Sequence, residues 1–327
     1  MQPRRPTRTR RSIRRSSPRS KPNRQETAMQ AEFNRRNFIK GAALAAGAVA
    51  MAGRVHAADD PGYKPLPKAV QWGKIPGEGT DEEKIKLAKA CGMDGIEAYP
   101  MEDLEAAKVR GALSREIGCP IHAVTYGGWG APMSDPGDKV IAKGHAEIEN
   151  ALRTTHAMGA DTMLLVPAVV TDRVGYKEAW ENSQKNIRPM LPLAEELGVV
   201  IAVENVWNKF LLSPLEFAAY VDEFDSPWLQ AYFDIGNVVI FGYPEDWIRT
   251  LGSRIRRVQI KDFKREGYEW NKLPYEGDVN HREVRKALAE IGYEGWVTEE
   301  FPGGDEAWLR ELSRRMDCFS QGERRCS

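Results

Sequence analysis

Residues 199–237 read VVIAVENVWNKFLLSPLEFAAYVDEFDSPWLQAYFDIGN, and one full structural repeat can be read from them. Val199–Val206 is a short, near-continuous apolar run, as expected of a strand covered on both faces. Ser213, with Pro214 after it and Glu216 three residues on, predicts a helix start with a capping box. Phe217, Val221 and Phe224 then recur at i, i+4, i+7 and give that helix one apolar face. Leu229–Asp234 is the next strand. Both strands end in polar residues, Glu204-Asn205 and Asp234-Ile235-Gly236-Asn237.

The same repeat extends in both directions. Six further runs have strand character: Ala69–Ile75, Gly95–Tyr99, Ile121–Tyr126, Thr162–Pro167, Val258–Asp262 and Trp296–Phe301. Helical spacing follows in Ile141/Ile148/Leu152, Ile187/Leu191/Ala194, Val284/Ala287/Leu288/Ile291 and Leu309/Leu312/Met316. Thr80 with Glu83 predicts a second capping box. Gly92, Gly118, Gly159, Gly198, Gly252 and Gly292 stand where helices should stop. Pro189 and Pro192 should kink the fourth helix or move its start. Eight β-α pairs in about 250 residues match a closed (β/α)8 barrel. The alternative, an open doubly wound sheet, would carry G-x-G-x-x-G after its first strand. Gly73–Thr80 (GKIPGEGT) lacks that spacing. The fold class is therefore α/β, a single-domain (β/α)8 TIM barrel over residues 68–319, with a linker at 58–67 and a tail at 320–327.

The chain of 327 residues has 47 basic and 47 acidic side chains, but they are unevenly placed. Residues 1–57 hold 14 Lys/Arg against Glu26 and Glu32, leaving 33 basic and 45 acidic groups in the remainder. Residues 1–28 are rich in Arg, Ser and Pro, the composition of a disordered arm. Asn34-Arg35-Arg36-Asn37-Phe38-Ile39-Lys40, the Ala/Gly-rich Gly41–Gly53 and Val55-His56-Ala57 together have the layout of an export signal. They resemble a bacterial twin-arginine signal, with Asn34 where Ser or Thr is commoner. That resemblance implies the twin-arginine export machinery as a partner of the precursor, cleavage near Ala57 and a periplasmic or otherwise exported body. Met29 would give a leader of ordinary length, so translation starting there is one expectation. No apolar run reaches the roughly 18 residues of a membrane span, so no stable membrane anchor is expected. Cys91 and Cys119 should be buried thiols, and Cys318 and Cys326 could pair after export.

In a barrel of this kind the chemistry lies at the C-terminal strand ends. Four consecutive strands deliver Glu204-Asn205, Asp234 to Asn237, Gln259-Ile260-Lys261-Asp262 and Glu299-Glu300 to one rim. Converging carboxylates repel one another unless protons or a cation neutralise them. An oxygen-rich set suits a divalent metal. These four motifs, in order, spacing and strand position, resemble the xylose isomerase-like TIM-barrel superfamily of sugar isomerases and epimerases, over essentially all of residues 68–319. The resemblance implies a divalent metal held by Glu204, Asp234, Gln259 and Glu300. Gln259 departs from the pattern, which commonly has His there. The all-oxygen set that results favours Mn or Mg over Zn.

The implied activity is metal-dependent isomerisation or epimerisation of a sugar or keto-sugar, with Glu204 and Glu300 carrying the proton to and from the carbon beside the carbonyl. Further substrate contacts are expected from Glu97, Asn205, Trp207, Asn237, Arg265 and His281. Glu97 could instead pair with Lys261. Asn237 stands where several epimerases have a substrate-contacting His, and Arg265 where some have an Arg. Trp129, Trp207 and Trp270 lie in strand-end loops, where sugars stack on such rings. His122 should be a packed core residue, and His145 and His156 structural. A lyase acting on keto-glycosides and a non-catalytic carbohydrate-binding barrel are alternatives. A DNA-repair endonuclease of the same superfamily would need a His-rich zinc cluster, whereas the body has four histidines. Its excess of acids also argues against any nucleic-acid partner. A homo-oligomer is compatible with these features.

Overall fold

A computed structural model describes residues 62–326. The expectations for the leader, its cleavage site and the first part of the linker lie outside the described residues. Each of the eight apolar runs forms a strand: β1 (Lys68–Gln71), β2 (Gly95–Ala98), β3 (Ile121–Gly127), β4 (Thr162–Leu165), β5 (Val200–Glu204), β6 (Leu229–Asp234), β7 (Ile255–Ile260) and, after a small hairpin of β8 (Phe263–Lys264) and β9 (Glu269–Trp270), β10 (Val297–Glu299). The eight long strands pair in parallel, in the order β1-β10-β7-β6-β5-β4-β3-β2, and close into a barrel.

Alternation along each strand decides what faces the lumen. Met163, Leu165, Ile201, Val203 and Phe233 belong to the large core between barrel and helices. The intervening Leu164, Ala202 and Tyr232, with Ala123, form a separate small cluster inside the barrel. Glu204 has the parity of Ala202, and Asp234 that of Tyr232. Register aligns Glu204 with Tyr232, Asp234 with Gln259 and Gln259 with Thr298. The same parity selects Glu300 over Glu299. Glu299 points away, accepts the N–H groups of Gln71 (3.1 Å) and Phe301 (2.9 Å), and is pushed by burial up to about 7.

Several boundaries differ from the sequence expectation. β1 stops at Gln71, because Trp72–Lys74 turns into a 3-10 segment. β7 starts three residues early, at Ile255. Arg256 and Arg257 both pair with Asp161, and Arg256 remains partly exposed, so charged residues take strand positions that apolar continuity would not mark. Lys261 and Asp262 lie beyond its end. Thr80 makes both bonds of its capping box, worth about 1 kcal/mol to its helix. Ser213 makes only half of one: it accepts from Glu216 N, while Glu216 turns to Leu212 N at 3.1 Å. Gly118, Gly159 and Gly198 end their helices in the left-handed region, with φ of 76°, 75° and 65°. A 3-10 turn, Arg188–Met190, separates the helices Tyr176–Ile187 and Leu191–Leu197 at the two prolines. The last helix runs to Gln321, and Cys318 is bonded to Cys326, tying down the tail. Cys91 and Cys119 are buried and free.

Candidate active site

The C-terminal ends of β5, β6 and β10 bring Glu204, Asp234 and Glu300 together, with one oxygen of each within 4.8 Å of the others. Backbone and amide contacts hold this arrangement. Asn205 clamps Asp234 from β5: its Oδ1 accepts Asp234 N–H (3.0 Å) and its Nδ2 donates to Asp234 O (2.9 Å). Asn237 N–H donates to Asp234 Oδ1 (2.7 Å), and Asn237 Nδ2 reaches Asn205 O (2.9 Å) and Glu204 Oε1 (3.4 Å). Gly236, between them, lies so close to β7 that a Cβ would stand 2.7 Å from Lys261 Cβ and 2.8 Å from its backbone.

Lys261 Nζ pairs with Glu300 Oε1 at 3.0 Å and sits 4.5 Å from the Trp270 ring centroid. Burial and the charges of Glu300 and Asp234 hold the Glu204 carboxyl well above the usual range, against the pull of Lys261. Burial and Glu300 do the same to Asp234. Burial draws the Lys261 ammonium down, but the three carboxylates outweigh it and raise its pKa. Three carboxylates and one ammonium leave two negative charges when all are ionised, the charge a divalent cation balances.

Asp234 Oδ2, Glu300 Oε2 and Gln259 Oε1 are all buried and without a hydrogen-bond partner. Burying one such acceptor unmade costs about 1–3 kcal/mol; two belong to the Glu204/Asp234/Glu300 cluster and the third to the strand neighbour of Asp234, an all-oxygen set of the kind a hard cation takes. These residues therefore fit a divalent metal.

Above the carboxylates a cavity of about 320 Å³ opens to the rim, lined by Glu204, Gln259, Lys261 and Glu300, by Gln71, Thr125 and Asn237, and by the rings of Trp129, Trp207 and Trp270. Trp207 is fixed by its Nε1–H to Asn237 O (2.9 Å) and by ring contacts with Phe263, Tyr268 and Trp270.

Of the residues singled out in the sequence, Glu204, Asp234, Gln259, Glu300, Trp207 and Asn237 meet here. Asp234 joins through the carboxylate cluster and not through the cavity lining, and four others reach neither. Both ends of the Asn205 amide are engaged by Asp234. Glu97 is fully buried beneath the cavity, and its partners are Thr125, Gln71, Gln259 and Tyr232 rather than Lys261. Arg265 is turned outward by the β8–β9 hairpin, donating to Val239 O (2.9 Å) and Gly242 O (3.1 Å). His281 is buried at the start of its helix, 3.1 Å from Asp262 and accepting Tyr275 N–H. Lys261 was overlooked as a site residue in its own right, although its place beside Gln259 in the motif marked it. Gln71 and Thr125 were missed too; the strand parity that picked out Glu204 would have found Thr125. His122 is a core residue as expected, stacked on Trp296 (4.6 Å) and 3.0 Å from Thr298 Oγ1. His145 and His156 bond to the backbone of Asn186 and Leu197.

Comparison with known proteins gives the same architecture. Residues 32–52 match the TAT (twin-arginine translocation) pathway signal sequence. An uncharacterized protein of Methanocaldococcus jannaschii is 25% identical over 47% of this chain and 55% of its own length, so the chain spans about half of that relative. The L-ribulose-5-phosphate 3-epimerase UlaE of Salmonella paratyphi A is 23% identical over 76% of this chain and 94% of that protein. A crystal structure of D-psicose 3-epimerase in the presence of D-fructose shares the fold, with a TM-score of 0.68 at 18% identity, covering 78% of this chain and 98% of that one. The activities these names carry are those of carbohydrate isomerases and epimerases. Residues 85–318 match the xylose isomerase-like TIM barrel family, and with a closed eight-stranded barrel and carboxylates on its C-terminal rim the chain belongs to that family of sugar isomerases and epimerases.

Proposed function

We propose that this protein is an exported, metal-dependent isomerase or epimerase that moves a proton at the carbon beside the carbonyl of an unphosphorylated ketose or keto-sugar. The observation that carries the reading is the cluster of Glu204, Asp234 and Glu300, with buried, unpartnered oxygens on Asp234, Glu300 and Gln259. Glu204, Asp234, Gln259 and Glu300 would hold a divalent cation, Mn or Mg rather than Zn. Such a cation polarises a carbonyl and stabilises the negative charge that grows on its oxygen. Glu204 and Glu300 flank the cavity from separate strands. One takes the proton from carbon as the electron pair shifts onto the carbonyl oxygen, and the other returns a proton to the opposite face. Asn237 and Trp207 orient the sugar, the first by hydrogen bonding and the second by stacking.

Two features favour a substrate without phosphate. Among the described residues the cavity lining includes no arginine, and its one lysine is engaged by Glu300. The twin-arginine signal favours work outside the cytoplasm, with cleavage near Ala57 and a periplasmic body.

A second reading, a lyase acting on keto-glycosides, is favoured by the aromatic rim. Trp129 and Tyr268 are 55% and 60% exposed and would face a group attached to the reacting sugar. One assay separates the readings. Mature protein with Mn or Mg is incubated in D2O with ketoses and 3-keto-glycosides. Deuterium beside the carbonyl with the sugar intact supports the epimerase, and release of the aglycone selects the lyase. Absence of both exchange and aglycone release on every substrate rejects both readings and leaves a binding barrel.

A further inference from the structure

A buried glutamine can present either end of its amide to a neighbouring site. Gln259 is 1% exposed, is paired in register with Asp234 on the neighbouring strand, and lines the same cavity as Glu204 and Glu300. With its NH2 turned toward those carboxylates it would donate to them and could not ligate a cation. The end it presents there decides whether it is a ligand at all. The other side of the amide faces Glu97 on β2. Gln259 Nε2 donates to Glu97 Oε1 (3.4 Å), while Gln259 Oε1 is buried and unpartnered.

Glu97 is fully buried and surrounded by donors. Its Oε1 also accepts from Thr125 Oγ1 and from Gln71 Nε2 (3.3 Å), and its Oε2 accepts from Tyr232 OH. Tyr232 is tied in turn to Thr298 Oγ1 (3.2 Å). Burial raises the Glu97 pKa against the pull of these donors, and in its ionised form the carboxylate offers only lone pairs. Turning the Gln259 amide over would set its oxygen against them, with no donor left for Glu97 from that side.

We propose that Glu97 is a positioning residue: by accepting the Gln259 amide N–H across the barrel lumen, it turns Gln259 Oε1 toward Glu204, Asp234 and Glu300 and makes it a cation ligand. The proposal rests on the metal reading of the site. It makes Glu97 part of the metal centre without contact to metal or substrate.

The test is the Mn(II) dissociation constant of the metal-free protein, measured by EPR titration with no substrate present. Glu97→Gln can donate to Gln259 Oε1 and so permits the turned amide. It should weaken Mn binding by about 10- to 100-fold, the range for partners that orient a ligand. Gln259→Leu should weaken it similarly, and the double variant no further. Gln259→Glu should restore binding in the Glu97→Gln background, because a carboxylate presents oxygen whichever way it turns. If Glu97→Gln does not fold, as judged by circular dichroism, Glu97→Asp withdraws the acceptor by one methylene and should show the same direction of loss. Equal Mn affinity in wild type and in the Glu97 variant that folds would overturn the positioning role while leaving the metal site standing. Wild type that binds no Mn would overturn both.

Discussion

His122 ties the stability of this barrel to pH. It stacks on Trp296 with an interplanar angle of 7°, lies 3.0 Å from Thr298 Oγ1, and leaves Nδ1 buried without a partner. Burial first, and the Arg257 charge second, hold its pKa well below 6.5. The folded state thus keeps the ring neutral where the unfolded chain takes up a proton. This contribution is fully present above pH 6.5 and is lost as pH falls below it, at up to about 1.4 kcal/mol per pH unit until the folded pKa is reached. His122→Phe keeps a stacking ring of similar size and removes the titration. It also removes the contact to Thr298, worth about 1 kcal/mol; Thr298 retains Tyr232 OH. The variant should therefore be less stable than wild type by about 1 kcal/mol at pH 7.5. It should draw level roughly one pH unit below 6.5 and be the more stable form at pH 5. Urea unfolding of both proteins at half-unit intervals from pH 7.5 to 4.5 gives the difference directly, with contributions shared by both proteins cancelling. A difference that stays constant over that range refutes the assignment of a neutral, buried His122.

Three further outcomes test the site. Glu204→Gln should lower deuterium exchange by about 10²- to 10⁴-fold, the usual weight of a general base, with circular dichroism unchanged; exchange within twofold of wild type would remove Glu204 from the chemistry. Gly236→Ala places a methyl 2.7 Å from Lys261 Cβ. It should cost about 1–3 kcal/mol in urea unfolding as an overpacked contact, and lower exchange with it, because Asp234 and Lys261 move apart. Finally, dialysis against a chelator should lower the melting temperature, and Mn at 100 times its Kd should return about 2.7 kcal/mol of stability. A melting temperature indifferent to both treatments speaks against a metal site.

The barrel was readable in the sequence because its strands are buried on both faces, and a continuous apolar run such as Val199–Val206 has few other destinations. β6 was placed to the residue, Leu229–Asp234. Glu204, Asp234 and Glu300 were readable for a related reason: they stand at the C-terminal ends of the apolar strands, where a barrel gathers its polar groups on one rim. The loop residues carried no such constraint. Arg265 and His281 follow β7 in a segment whose direction is set by contacts distant in sequence. The β8–β9 hairpin packs Trp270 on Phe263, and Asp262 gathers the N–H groups of Phe263, Gly277 and Val279. Those contacts send Arg265 outward and leave His281 under the loop.

Asn205 and Glu97 show a different limit. Both stand at or near strand ends beside the site, as position suggested, yet each is committed to another side chain or backbone rather than to the cavity. Whether a polar group touches a ligand or holds the group that does depends on where its partners lie around the barrel, and strand parity alone does not carry that information. For Asn205 the partner is one strand away, at Asp234. For Glu97 the Gln259 partner lies across the lumen, 162 residues on in the chain. A glutamine where an imidazole is common therefore reads from sequence as a weakened ligand. The carboxylate facing its amide supplies what the substitution removed, a fixed direction for the donor atom.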